Sequence, residues 1–72
     1  MMTKLEIAGI LKNIRKQSGL TQQQLANILG KSQQIVGNWE TGYSQPDIST
    51  LFALFDIYGV SIDETFLQRK SS

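Results

Sequence analysis

Three amide side chains carry the recognition chemistry in this sequence: Gln33, Gln34 and Asn38. A carboxamide donates and accepts at once, so a glutamine or asparagine edge-on to adenine meets the N6 donor and the N7 acceptor together. On a helix advancing about 100° per residue these three fall on one half with Gly37, while Ile35, Val36, Trp39 and Glu40 fall on the other. The apolar half is expected to pack. The amide half is expected to face outward as an uncharged surface suited to base edges in a major groove. Taken alone such a face is more often merely solvated, so its meaning rests on the elements that hold it.

Catalysis has little to work with. Cysteine and histidine are both absent, which removes disulfides, thiol nucleophiles, Cys/His metal sites and imidazole acid–base schemes. Glu40, Asp56, Asp63 and Glu64 form no spaced carboxylate pair around a pocket-forming segment. The expectation is a protein that is no enzyme and holds neither cofactor nor metal. Seven Lys and Arg against six Asp and Glu leave a net charge of +1, so any contact with a polyanion depends on where the cations sit. The cluster Lys12, Arg15, Lys16 reads as a solvated face, with Arg15 turned to another task. No apolar run approaches the roughly 20 residues that span a bilayer. Met1-Met2-Thr3-Lys4 leads to Glu6 instead of a secretory core, so a cytoplasmic protein is expected.

A chain of 72 residues supports one compact core, here expected as a single all-α domain over residues 1–72. Apolar spacing and punctuation predict five helices at about residues 4–17, 22–29, 33–41, 48–58 and 62–68. Ile7, Leu11 and Ile14 share a face of the first; Leu25, Ala26, Ile28 and Leu29 form the inner face of the second. Thr3 with Glu6, Thr21 with Gln24 and Ser61 with Glu64 have capping-box spacing, and Leu20 with Leu25 has that of a hydrophobic staple. Gly30 suits a left-handed helix end, and Ser32 caps the next helix, leaving about three connecting residues. Gly42 ends the third helix. Pro46 and an Asp47 cap then open a fourth with Ile48, Leu51, Leu54, Phe55 and Tyr58 on its face. Two helices on so short a turn, the second polar outside, describe a helix-turn-helix.

The run Gln22-Gln23-Gln24-Leu25-Ala26-Asn27-Ile28-Leu29-Gly30-Lys31-Ser32-Gln33-Gln34-Ile35-Val36-Gly37-Asn38-Trp39-Glu40 resembles the Cro/repressor (XRE-type) helix-turn-helix family. The family's small residue falls on Ala26, its turn glycine on Gly30, its apolar core position on Val36 and its Trp-Glu pair on Trp39 and Glu40. Ser18-Gly19-Leu20-Thr21-Gln22, Gln45-Pro46 and Gly59-Val60-Ser61-Ile62-Asp63 extend the likeness over about residues 7–67. The resemblance implies a compact five-helix, lambda-repressor-like fold and a bacterial or phage-encoded transcriptional regulator, a repressor that binds a double-stranded DNA operator as a homodimer. It implies base contacts from Gln33, Gln34 and Asn38 and a phosphate clamp at Gln22. Lys31, Ser32, Gly37, Tyr43 and Ser44 are further backbone contacts, and Arg15 with Glu40 is an inward ion pair.

The chain departs from the family at two points that bear on DNA. Ile35 stands where a small hydroxyl residue is usual, and Gly37-Asn38 replaces a Ser-Arg or Ser-Lys pair. Losing cations lowers the salt dependence of binding, since each neutralised phosphate contributes about −0.9 to its slope. Phe52, Phe55 and Ile57 give the fourth helix more apolar bulk than one face needs, read as an enlarged core ahead of a dimer surface. The competing expectation is an antitoxin-like or adaptor module that binds a protein, with DNA contact secondary.

Overall fold

The structure, a computed structural model, describes residues 2–59. Among them there are four α-helices and no strand: α1 Lys4–Gln17, α2 Gln22–Leu29, α3 Gln33–Thr41 and α4 Ile48–Tyr58. These spans coincide with the first four of those expected. The fifth, at residues 62–68, and its Ser61–Glu64 box lie outside the described residues. No described helix is long and apolar enough to cross a membrane.

Each helix starts where a side chain can take up backbone donors that the first turn leaves unpaired. Thr3 Oγ1 accepts from the Glu6 N–H at 3.1 Å while Glu6 Oε1 accepts from the Thr3 N–H at 2.9 Å. Thr21 and Gln24 repeat the reciprocal pair at 3.0 and 2.8 Å. Ser32 Oγ accepts from the Ile35 N–H at 3.2 Å, and Asp47 Oδ1 from the Thr50 N–H at 2.8 Å. Hydrogen bonds from Thr50 hold the Asp47 carboxyl below its ordinary pKa, so this cap weakens as acid protonates it.

The turn between α2 and α3 is closed by backbone alone. Gly30 has φ 68°, a left-handed conformation, and its N–H donates to the Asn27 carbonyl at 3.3 Å. The Lys31 N–H reaches back to the Ala26 carbonyl at 2.9 Å, completing the paired closure of a Schellman end. Three residues thus reverse the chain, and Ser32 starts α3 at once. Gly42 ends α3 at φ 83°, where a Cβ would also meet Leu5 Cδ2 at 3.1 Å.

α3 is the central element, packed against both α1 and α2. Leu11, Leu25, Ala26, Val36, Trp39 and Leu54 form the core, with Ile7, Leu20, Leu29, Leu51, Ile57 and Tyr58 half-buried around it. Ala8 and Phe55 are buried as well. Ala8 did not stand out in the sequence because alanine fits any helix face.

The apolar faces are narrower than their spacing suggested. Ile28 is 57% exposed, as is Phe52, and Ile48 is 70% exposed. An eight-residue helix such as α2 turns only one stripe to its neighbours, and Leu25, Ala26 and Leu29 fill it. Ile35 also lies outside the packed half, 38% exposed beside the amide face. On α4 the extra bulk divides, with Leu54 and Phe55 inside and Ile48 and Phe52, one turn apart, outside.

Tyr58, in the last turn of α4, is half-buried near Arg15 and Glu40. Burial, seconded by the negative charge of Glu40 and opposed by Arg15, pushes its phenol up to about 12. An unfolded tyrosine titrates near about 10, so the fold favours the neutral phenol. Its stabilising contribution is complete below about pH 10 and is lost as the pH rises to about 12. Urea midpoints measured across this window are expected to fall in the wild type and to fall less steeply in Tyr58→Phe.

Candidate nucleic-acid interface

An ion pair joins α1 to α3. Arg15 Nε donates to Glu40 Oε2 at 2.6 Å and Nη2 to Oε1 at 2.9 Å, while Nη1 donates to the Leu20 carbonyl at 2.7 Å. Both residues are buried, at 7% and 8% exposure. The fork of the guanidinium matches the two carboxylate oxygens, the geometry in which such pairs are strongest. The hydrogen bond to Glu40 holds the guanidinium above its ordinary pKa, against the opposite pull of burial. Among the described residues no buried side-chain nitrogen or oxygen lacks a partner. The third bond, to Leu20, ties the same guanidinium to the loop that leads into α2.

The ion pair continues toward the surface through two glutamines. Gln22 Nε2 donates to Glu40 Oε1 at 3.1 Å, and Gln33 Nε2 donates to Gln22 Oε1 at 3.3 Å. Gln22 and Gln33 are the first residues of α2 and α3, so the tight turn brings the two helix starts side by side. Sequence reasoning gave Gln22 to a phosphate and Gln33 to a base and missed both bonds. Separations of 18 and 11 residues carry no periodic signal that would reveal them.

The remaining predicted site residues lie on α3, in the turn before it and in the loop after it. Gln33 and Gln34 are exposed on the first turn of α3, with Gly37 and Asn38 half-exposed one turn on. Among the described residues no hydrogen bond ties the side-chain amides of Gln34 and Asn38, in contrast to Gln33. Lys31 and Ser32 sit exposed in the turn. Asn38 has a second role, because its carbonyl accepts from the Tyr43 N–H at 3.0 Å and the Ser44 N–H at 3.3 Å. The loop carrying Tyr43, 82% exposed, and half-exposed Ser44 is thereby anchored to α3. Among the described residues no His, Cys, Asp or Glu cluster fit for a metal ion occurs.

A helix-turn-helix family profile matches residues 11–65, more than half of the chain. The chain belongs to the XRE-type helix-turn-helix family. It is 43% identical over 53 residues to the SPbeta prophage-derived HTH-type transcriptional regulator YonR of Bacillus subtilis, covering 74% of this chain and 49% of that protein. YqaE of the same organism, also an HTH-type transcriptional regulator, is 42% identical over 53 residues, 74% of this chain and 46% of YqaE. The HTH-type transcriptional regulator PuuR of Escherichia coli is 38% identical over 56 residues, 78% of this chain and 30% of PuuR. The chain thus spans half or less of the length of these relatives. This family is not one of enzymes.

Replacing Glu40 alone leaves a buried, unpaired guanidinium, which costs about 3–5 kcal/mol. Exchanging both partners for apolar groups of similar volume is often neutral. Urea denaturation is therefore expected to show a strongly destabilised Glu40→Ala and an Arg15→Met, Glu40→Met double variant close to the wild type.

Proposed function

We propose that this chain binds double-stranded DNA in a sequence-specific way and regulates transcription as a repressor, reading the major groove with α3. The observation that carries the reading is the exposure of Gln33, Gln34 and Asn38 along one side of α3, a helix set by a three-residue turn and a buried ion pair. The N-terminal half of a recognition helix contacts base edges in this architecture, and amides suit adenine. Gln22, Lys31, Ser32, Gly37, Tyr43 and Ser44 flank these three and contact phosphates. Lys31 is the one cation among them, so salt dependence is shallow. Family membership and the names of the relatives support this reading.

The chain acts as a single domain over residues 1–72 and binds as a homodimer. Three amides offer too few base contacts for a long operator, and a twofold pair spaces its half-sites by about 34 Å, one turn of DNA. The exposed pair Ile48 and Phe52 on α4 supports an apolar interface between two copies. Its setting is the bacterial or phage-infected cytoplasm, in line with the organisms of its relatives.

Selection of random duplexes against the purified chain, with anisotropy titration at two salt concentrations, is expected to enrich a palindrome. Each bidentate amide–adenine contact is worth about 1–3 kcal/mol, so Gln33→Ala with Gln34→Ala should abolish the preference for that site. An absence of enrichment at low salt would replace this reading with the protein-binding, antitoxin-like one.

Gly37 provides a second check. A Cβ there would meet the Gln22 amide at 3.7 Å, an ordinary contact, so Gly37→Ala is tolerated by the free protein. Alanine favours the helix by about 1 kcal/mol over glycine. Thermal melts of Gly37→Ala are expected to rise while its affinity for the selected duplex falls, because the new methyl stands where the DNA backbone approaches.

A further inference from the structure

We infer that Lys4, at the start of α1, is a second phosphate-contacting cation, held beside the loop of Tyr43 and Ser44. The inference rests on the proposed binding of DNA and deepens it, because none of the backbone contacts named above lies on α1. A tertiary contact places the residue. A Cβ on Gly42 would stand 3.1 Å from Leu5 Cδ2, 3.7 Å from the Lys4 carbonyl oxygen and 3.8 Å from Leu5 Cα. The first turn of α1 therefore lies against the glycine that ends α3 and immediately precedes Tyr43. A chain separation of nearly forty residues hides this approach from any reading of local spacing.

The register of α1 says which way Lys4 is turned. Ala8, Leu11 and Arg15 are the buried residues of this helix, and Lys4 heads the same stripe, one turn before Ala8. Along that stripe Arg15 reaches Glu40 on α3, while Lys4, beside the end of α3, is exposed. Among the described residues Lys4 makes no hydrogen bond or ion pair. Glu6 is the nearest carboxylate in the chain, but residues two apart on a helix do not face each other, and Glu6 Oε1 accepts from the Thr3 N–H at 2.9 Å. Lys4 is thus an ammonium on a flexible four-carbon stem, with no partner of its own, next to the loop that contacts phosphates. Lys31 precedes α3 and Lys4 sits beside its end, so the two cations bracket the helix.

The test uses the full chain and the selected duplex, titrated by anisotropy over a range of salt concentrations. Each neutralised phosphate contributes about −0.9 to the slope of log K against log salt. Lys4→Gln is expected to make the slope shallower by about 0.9 for each bound copy, about 1.8 for a dimer, as Lys31→Gln does. Discrimination between base pairs is retained, since phosphate contacts carry no sequence information. Lys4→Arg keeps the charge and is expected to keep the slope. Lys12→Gln removes a cation about 12 Å further along α1 and is expected to leave the slope unchanged. Melts establish that each variant is folded. The inference is overturned if Lys4→Gln keeps the wild-type slope, or if Lys12→Gln loses as much, since charge acting at a distance then explains both. A loss in Lys31→Gln without one in Lys4→Gln leaves the reading of DNA standing and sinks only the inference. If the wild-type chain binds no duplex, the reading itself has failed and takes the inference with it.

Discussion

The structure depends on one buried pair of opposite charges. Arg15 and Glu40 are 25 residues apart, and their two-pronged contact fastens α1 to α3 while the same guanidinium holds the loop before α2. A buried ion pair of this sort contributes little net stability against an apolar replacement, because desolvating both charges offsets most of their attraction. What it supplies is geometry. Apolar contacts among Leu25, Val36 and Trp39 tolerate small rotations of α3, whereas bonds of 2.6 to 2.9 Å to a planar guanidinium do not.

That rigidity matters because the recognition chemistry is short-ranged. With a net charge of +1 and one lysine in the turn, the chain draws little on long-range attraction to a polyanion. In the proposed reading, selectivity then rests on amides that work only within hydrogen-bond distance and at favourable angles. Two devices set α3, the backbone-closed turn at Gly30 just before it and the pair that Glu40, on α3 itself, makes with Arg15. The turn fixes where Gln33 starts; the pair fixes how the helix is rotated about its axis.

Much of this was legible from local pattern. Thr3 with Glu6, Thr21 with Gln24, Ser32 and Asp47 marked the helix starts, because capping is a contact within four residues. Gly30 and Gly42 marked ends for the same reason, since a left-handed residue costs a side chain but not glycine. Periodicity erred at Ile28, Ile35 and Ile48, which carry apolar side chains at positions the neighbours do not reach. Periodicity reports which residues share a face and says nothing of how wide a stripe the adjoining helices cover.

The sequence by itself therefore determined the four described helices, their caps, the length of the turn and the outward half of α3, all of which follow from interactions within a turn or two of chain. Only the tertiary structure decided that Gln22 bridges Glu40 and Gln33, that the Asn38 carbonyl anchors the loop of Tyr43 and Ser44, and that the apolar surplus of α4 divides between core and surface. The physical reason is separation. A hydrogen bond between residues 11 or 18 apart exists only when packing has brought α2 and α3 together, and no spacing in the chain encodes that approach.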